Sequence, residues 1–349
     1  MTPDFQRLMD EATRLMRGGH LGEATAAIQR ALGATAAAPA SSPRDGDVID
    51  VEARVVTEPA ETHAPAVPTG VESFTLGHFR NEAGARHYKL FVPAGAARRR
   101  PLVVMLHGCT QDPDDFARGT RMNALARAQD VVVVYPAQSQ RANAQRCWNW
   151  FKHNHQARGK GEPAILAGLV RELVAAHDLD PDRVYVAGLS AGGAMAAILG
   201  DAYPDLFAAV GVHSGLPVGS ATDVQTALAA MSGAAPPARR SAKHGATPPT
   251  IVFHGDADAT VDAVNGERIL ASAGVVARPD VQQAMTGAGV PYTRRVYVDA
   301  QGAERAEQWT IHGAGHAWSG GDLAGSYTDP RGPDASAEML RFFLQRPRG

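Results

Sequence analysis

Five short, unbroken apolar runs recur along the middle of this chain: PLVVMLHG (101–108), VVVVYP (131–136), RVYVAGLS (183–190), AAVGVHSG (208–215) and TIVFHG (250–255). None of them alternates apolar with polar residues. Each therefore reads as a strand covered on both faces rather than one wetted on one side. Between them, residues 113–129, 161–177 and 191–203 carry apolar positions at helical spacing. Strands alternating with helices pair in parallel, because a right-handed crossover packs the helix back onto the sheet. The expected class is α/β, a mostly parallel central sheet flanked by helices. FTLGHFR (74–80) and RHYKLFVP (86–93) add an antiparallel pair in front, and strands at 292–298 and 306–311 and a helix over 334–344 complete the set. Ligands on such sheets bind beyond the carboxyl ends of the strands, where every candidate residue below falls.

Ahead of this region the pattern changes. Phe5, Leu8, Met9, Ala12, Leu15 and Met16 mark an amphipathic helix over 3–17, which Gly18-Gly19 stops, and Leu21, Ala24, Ile28 and Leu32 mark a second. GHLGEATAAIQRAL (19–32) resembles one tetratricopeptide unit, so a helical hairpin is expected over 1–32. A lone unit cannot bury its own apolar face and must dock on the main domain, a second copy or a surface. Residues 33–70, rich in Ala, Pro, Ser and Thr without periodicity, read as a flexible linker. The main domain is expected over 71–349, with the Pro/Ala-rich stretch 233–249 as a flexible insertion.

Composition narrows the function classes. The net charge is −2, and Arg98-Arg99-Arg100 reads as a solvated turn, so no nucleic-acid footprint is expected. No run of about 18 apolar residues is present to cross a bilayer, and the N-terminus shows no signal-peptide h-region. The expectation is a cytoplasmic protein. Two cysteines, Cys109 and Cys147, are too few for a disulfide scaffold or a structural zinc site, so no metal and no cofactor are expected.

Gly188-Leu189-Ser190-Ala191-Gly192 is a G-x-S-x-G motif set between an apolar strand and a helical stretch. That context suits a sharp turn that projects a serine hydroxyl into a site, with glycines allowing close packing around it. Serine at neutral pH needs a base. His316, on the Gly-rich loop HGAGHAWSGG (312–321), is the candidate, with His312 the nearest rival. A base of this kind needs a carboxylate to fix its tautomer. Asp258 in TIVFHGDADATVD (250–262) fits the pattern G-x-x-D followed by an apolar residue, here Val261, while Asp256 remains an alternative. The order Ser190, Asp258, His316 is that of the α/β-hydrolase fold. Asp256, Asp258, Thr260 and Glu267 also mimic a calcium loop, but Val261 stands where that loop needs glycine.

His107-Gly108-Cys109 follows an early strand, so the backbone N–H groups of Cys109 and Ala191 are the candidate oxyanion donors. The cysteine side chains leave two arrangements open, a Cys109–Cys147 bond or two packed thiols. Trp148, Trp150 and Trp318 fall on loops near the expected site. Trp148 and Trp318 are the candidates for substrate contact, with a purely structural role open for each.

Together, LHGCTQ, RMNALA, VVYP, CWNWF, GLSAGGAM, FAAVGVHSG, VFHGDAD and GHAWSGG resemble the polyhydroxybutyrate depolymerase family of esterases, with its feruloyl- and acetylxylan-esterase-like relatives. The resemblance covers roughly residues 73–345. It implies hydrolysis of carboxylic esters through an acyl-enzyme, with Ser190, Asp258 and His316 as triad and Cys109 and Ala191 as oxyanion donors. The implied substrate is a hydroxyalkanoate polyester or its oligomers, with aryl or acetyl esters as the alternative. The N-terminal hairpin would then serve docking, on a polymer granule or by self-association.

Overall fold

The computed structural model describes residues 70–95, 97–234, 247–272, 279–299 and 301–348. The expected hairpin over 1–32 and all but the last residue of the expected linker lie outside the described residues, as do 235–246 of the expected insertion. What is described belongs to one unit, Pro68–Gly349.

The sheet opens with the hairpin β1 (Ser73–Asn81) and β2 (Gly84–Val92). It continues through β3 (Leu102–Leu106), β4 (Val132–Pro136), β5 (Val184–Leu189), β6 (Ala209–His213) and β7 (Thr250–Gly255). It ends with β8 (Asp280–Met285), β9 (Pro291–Val298) and β10 (Glu304–Ile311). The spatial order is β1-β2-β4-β3-β5-β6-β7-β10-β9-β8. The six strands from β4 to β10 pair in parallel, and β1-β2 and β9-β8 extend the two edges antiparallel.

Period-two side-chain direction explains why the central runs are unbroken. In β3, Leu102, Val104 and Leu106 enter one core layer while Val103 and Met105 enter the other. Val132 and Val134 divide from Val133 and Tyr135 in β4 in the same way, as do Val184 and Val186 from Tyr185 and Ala187 in β5. Both faces are dry, so neither tolerates a polar alternation.

The helices are α1 (Pro113–Thr120), α2 (Met122–Gln129), α3 (Gly161–Ala176), α4 (Ala191–Ala202), α5 (Val224–Met231), α6 (Val264–Ser272) and α7 (Ala335–Leu344). The expected single helix over 113–129 is two helices. Arg121 between them adopts a left-handed conformation with φ 54°, held by Arg121 Nη2 to the Gly320 carbonyl at 3.1 Å and to Asp334 at 2.8 Å. Arg98 and Arg99 pair in the open with Asp178 and Asp180, whereas Arg100 is buried and pairs with Asp130. Only part of that basic cluster is therefore a solvated turn.

Candidate active site

Ser190 ends β5 and starts α4 at φ 57° and ψ −118°, a region that a non-glycine residue occupies only under strain of about 1–3 kcal/mol. The turn survives because both flanking glycines permit it. A Cβ on Gly192 would lie inside van der Waals contact of the Leu106 and His107 carbonyl oxygens, and one on Gly188 would strike the Gly192 backbone. The Ser190 N–H donates to the His213 carbonyl at 2.9 Å, and its own carbonyl accepts from Ala194 N at 2.9 Å. Among the described residues, the N–H groups of Ala191 and Cys109 donate to no protein acceptor. They remain available to a ligand oxygen.

The two Asp/His ambiguities of the sequence resolve together into two pairs. Asp258 Oδ2 accepts from His316 Nδ1 at 2.7 Å, and Asp256 Oδ2 accepts from His312 Nδ1 at 2.7 Å. Burial distinguishes them. The Asp258 and His316 side chains are 0% and 12% exposed, against 41% and 38% for Asp256 and His312. Burial alone would raise the Asp258 pKa. Hydrogen bonds from His254 and His316, the charge of His316 and the Val261 N–H instead hold it far below the usual carboxylate range. Asp258 Oδ1 accepts from Thr260 N at 2.8 Å and Val261 N at 2.9 Å, which fixes the carboxylate plane. Ser190, Asp258 and His316 follow β5, β7 and β10, which lie in one continuous stretch of the sheet.

The loop bearing His316 is pinned just downstream. Ser319 N donates to His213 Nε2 at 3.0 Å, and the Trp318 ring stacks on His213 with centroids 5.1 Å apart. Burial pushes His213 down to about 3, aided by His254 and His316. A depressed histidine contributes stability above its unfolded pKa and loses it as pH falls toward the folded value. His213→Gln keeps an acceptor for Ser319 but cannot titrate. Between pH 7 and pH 5, wild type should therefore lose roughly 2 kcal/mol more folding stability than this variant. Urea unfolding of both proteins at the two pH values measures it, and equal losses would contradict the buried neutral state.

On the other flank, Gly108 N donates to Gln111 Oε1 at 2.9 Å and Thr110 N to the Gln145 carbonyl at 2.6 Å. Cys109 and Cys147 are joined in a disulfide, which settles the arrangement left open above. Cys147 belongs to a segment organised by Glu162, a fully buried carboxylate. Burial would raise its pKa, but the neighbouring His155 and hydrogen bonds from Gln138 and the Asn149 N–H, with the charge of Arg86, lower it. The bond thus ties the candidate oxyanion donor to a segment with little freedom. Reduction, or Cys147→Ser, should lower kcat on a soluble ester about 10-fold, part of what losing a whole oxyanion donor costs. It should also lower stability by about 2–4 kcal/mol. Parallel assays with thiol counting test this, and unchanged kcat in the open form would refute it.

Trp148 and Trp318 require a correction. Both are essentially unexposed, and each indole N–H is already engaged: Trp148 Nε1 donates to the His107 carbonyl at 3.1 Å and Trp318 Nε1 to Ser336 Oγ at 3.0 Å. They fasten the loops from within and offer no face to a substrate. A cavity of about 770 Å³ borders the loop of the candidate oxyanion donor at His107 and Gln111, lined also by Arg86, His87, Arg141 and Arg146. It contains none of Ser190, Asp258 and His316. His107, His213, His254, Gln111 and Glu162 were not assigned roles from sequence. Gln111 lies inside the LHGCTQ string, and His254 and His213 inside VFHGDAD and GVHSG, whereas Glu162 carries no local signal.

Among the described residues, no helix is long and apolar enough to cross a membrane, and no cluster of three or more His, Cys, Asp or Glu is arranged to hold a metal.

Residues 86–277 match the family described as Esterase PHB depolymerase. The chain is 34% identical over 255 residues to poly(3-hydroxyalkanoate) depolymerase C of Paucimonas lemoignei, covering 69% of this chain and 60% of that protein. It is 29% identical over 260 residues to a poly(3-hydroxybutyrate) depolymerase of Ralstonia pickettii, covering 69% and 52%. Feruloyl esterase B of Thermothelomyces thermophilus is 27% identical over 227 residues, 60% of this chain and 77% of that one. The chain thus spans a little over half the length of the two depolymerases. Among solved structures, the acetyl xylan esterase from Aspergillus awamori superposes with a TM-score of 0.56 at 20% identity, over 66% of this chain and 89% of that one. The likeness at that identity concerns the α/β-hydrolase fold.

Proposed function

The chain belongs to the Esterase PHB depolymerase family, and from that premise we propose that it is a serine esterase cleaving hydroxyalkanoate polyester or its oligomers. The observation that carries the reading is the buried 2.7 Å Asp258–His316 hydrogen bond, formed beyond the carboxyl ends of parallel strands, the same edge of the sheet that carries the strained Ser190 turn. In the proposed reaction Ser190 Oγ attacks the ester carbonyl while His316 takes its proton. The N–H groups of Cys109 and Ala191 receive the negative charge that develops on the carbonyl oxygen. Collapse of the tetrahedral intermediate expels the alcohol, which leaves with the proton from His316. Water, activated by the same imidazole, then releases the acid and restores the serine.

The polyester assignment is supported by the two depolymerase relatives, and the feruloyl esterase keeps aryl esters as the competing substrate class. Hydrolysis of p-nitrophenyl butyrate, hydroxybutyrate oligomers and a feruloyl ester, measured side by side, tests it. We expect turnover of the first two to exceed the third. A protein inert on all three overturns the reading, and a feruloyl rate above the oligomer rate transfers it to aryl esters.

Docking through residues 1–32, on a granule or on a second copy, is part of the proposal and rests on sequence alone. Removing residues 1–70 should leave soluble-ester kcat within about 2-fold, since no candidate active-site residue is lost, and should abolish cosedimentation with hydroxybutyrate granules. Undiminished cosedimentation refutes the docking role. Cytoplasmic residence is likewise proposed on sequence alone. The Cys109–Cys147 bond weighs against it, because cytosolic reductants act to keep such bonds open.

A further inference from the structure

Asp258 faces a second histidine besides the one proposed as base. His254, in β7, is 2% exposed, and its Nε2 lies 2.9 Å from the Val261 carbonyl oxygen and 3.4 Å from Asp258 Oδ2. A carbonyl only accepts, and so does an ionised carboxylate, so Nε2 carries the proton. His254 Nδ1 is then a buried nitrogen with no partner. Stability alone disfavours a half-satisfied imidazole in the interior. The residue therefore serves something other than packing.

We propose that His254 is a positioning residue for the acid. By donating to the Val261 carbonyl and holding its Nε2 3.4 Å from Asp258 Oδ2, it locks the 258–261 turn and shares with His316 the charge of one carboxylate oxygen. The inference rests on reading Asp258 and His316 as acid and base. Its consequence is directional. Without the His254 donor, the Oδ2 charge is offered to His316 alone, and the His316 imidazolium is held more tightly. The titratable groups acting on this cluster are His213 from β6, His254 from β7, and Asp258 and His316 from the loops. Of these, only His254 changes in the test.

The test is an NMR titration of His316 in wild type, His254→Leu, His254→Asn and His254→Gln, with thermal melts to establish that each is folded. Leucine removes the donor, asparagine places its amide too short to reach Asp258, and glutamine carries its amide nitrogen close to the lost Nε2. We expect the His316 midpoint to rise by about 0.5–1 pH unit in the leucine and asparagine variants and to return most of the way with glutamine. On p-nitrophenyl butyrate, kcat should fall about 10-fold in the first two with KM nearly unchanged. A His316 midpoint unmoved in a folded leucine or asparagine variant overturns the proposal, and so does a glutamine variant shifted as far as leucine. The titration needs no turnover. An inert wild type would refute the esterase reading, while the midpoints would still report whether His254 acts on His316.

Discussion

Ser190→Ala is expected to lower kcat on p-nitrophenyl butyrate by about 10⁴–10⁶-fold, with KM little changed. The size follows from what the hydroxyl does. In the proposed reaction it contributes almost nothing to holding a neutral ester in the ground state, but it is the atom that becomes bonded to the acyl carbon, and no second step can replace it. The variant is also clean structurally. Alanine keeps the Cβ that already sits at φ 57°, so the strain of the turn is unchanged. Both backbone hydrogen bonds of the residue, to the His213 carbonyl and from Ala194 N, survive. Stability should therefore stay within about 0.5 kcal/mol of wild type, and any loss of rate belongs to chemistry. The residual rate should still exceed that in water, because the Cys109 and Ala191 N–H groups are untouched. Rapid mixing supplies a second readout: the burst of p-nitrophenol that marks acyl-enzyme formation should vanish. A variant retaining more than about 1% of wild-type kcat would place the nucleophile elsewhere.

The sheet could be read from the sequence because its central strands are dry on both faces, and a short apolar run closed by glycine fits little else in a folded chain. The same logic fails at the edges. All six residues of β8 are exposed, so no apolar pattern marks DVQQAM as a strand; it is held by its ladder to β9. The break at Arg121 was equally hard to read, since PDDFARGT and MNALARAQ are both compatible with helix and the left-handed turn between them is held by Arg121 through tertiary bonds to Gly320 and Asp334. At the site, the motif string indicated which segments converge but not how their side chains pair. Asp256, Asp258, His312 and His316 offer four combinations, and only the fold selects two. The tryptophans failed for a related reason. A loop position suggested access, while an indole whose N–H meets a backbone carbonyl or a buried serine packs inside. What spacing cannot encode is which side of a loop faces inward, and the substrate face depends on that.

Two aspartates two residues apart, each bonded to a histidine at 2.7 Å, make a sharp comparison. Asp258→Asn should lower kcat by about 10⁴-fold, in line with the loss of a tautomer-fixing carboxylate, whereas Asp256→Asn should change it less than about 10-fold. The asymmetry follows from the donors. Asp258 Oδ1 accepts two backbone N–H groups, from Thr260 and Val261, so an asparagine there must place its carbonyl at that position. Its NH₂ then points where Oδ2 was, toward His316 Nδ1 and His254 Nε2. The imidazole can satisfy that donor only by offering an unprotonated Nδ1, which moves its proton to Nε2. The nitrogen that should accept the serine proton is then occupied. Asp256 faces a different situation. Its partner His312 also bonds Thr293 Oγ1 at 2.8 Å, and the pair is open to solvent, where exposed ion pairs contribute about 0.2–1 kcal/mol. An asparagine keeps an oxygen for Gly313 N, and water replaces the rest. The ratio of the two effects, taken on one substrate at one pH, decides the acid. A loss at Asp256 equal to or greater than that at Asp258 would reassign the role to the exposed pair and remove the basis for the action proposed for His254.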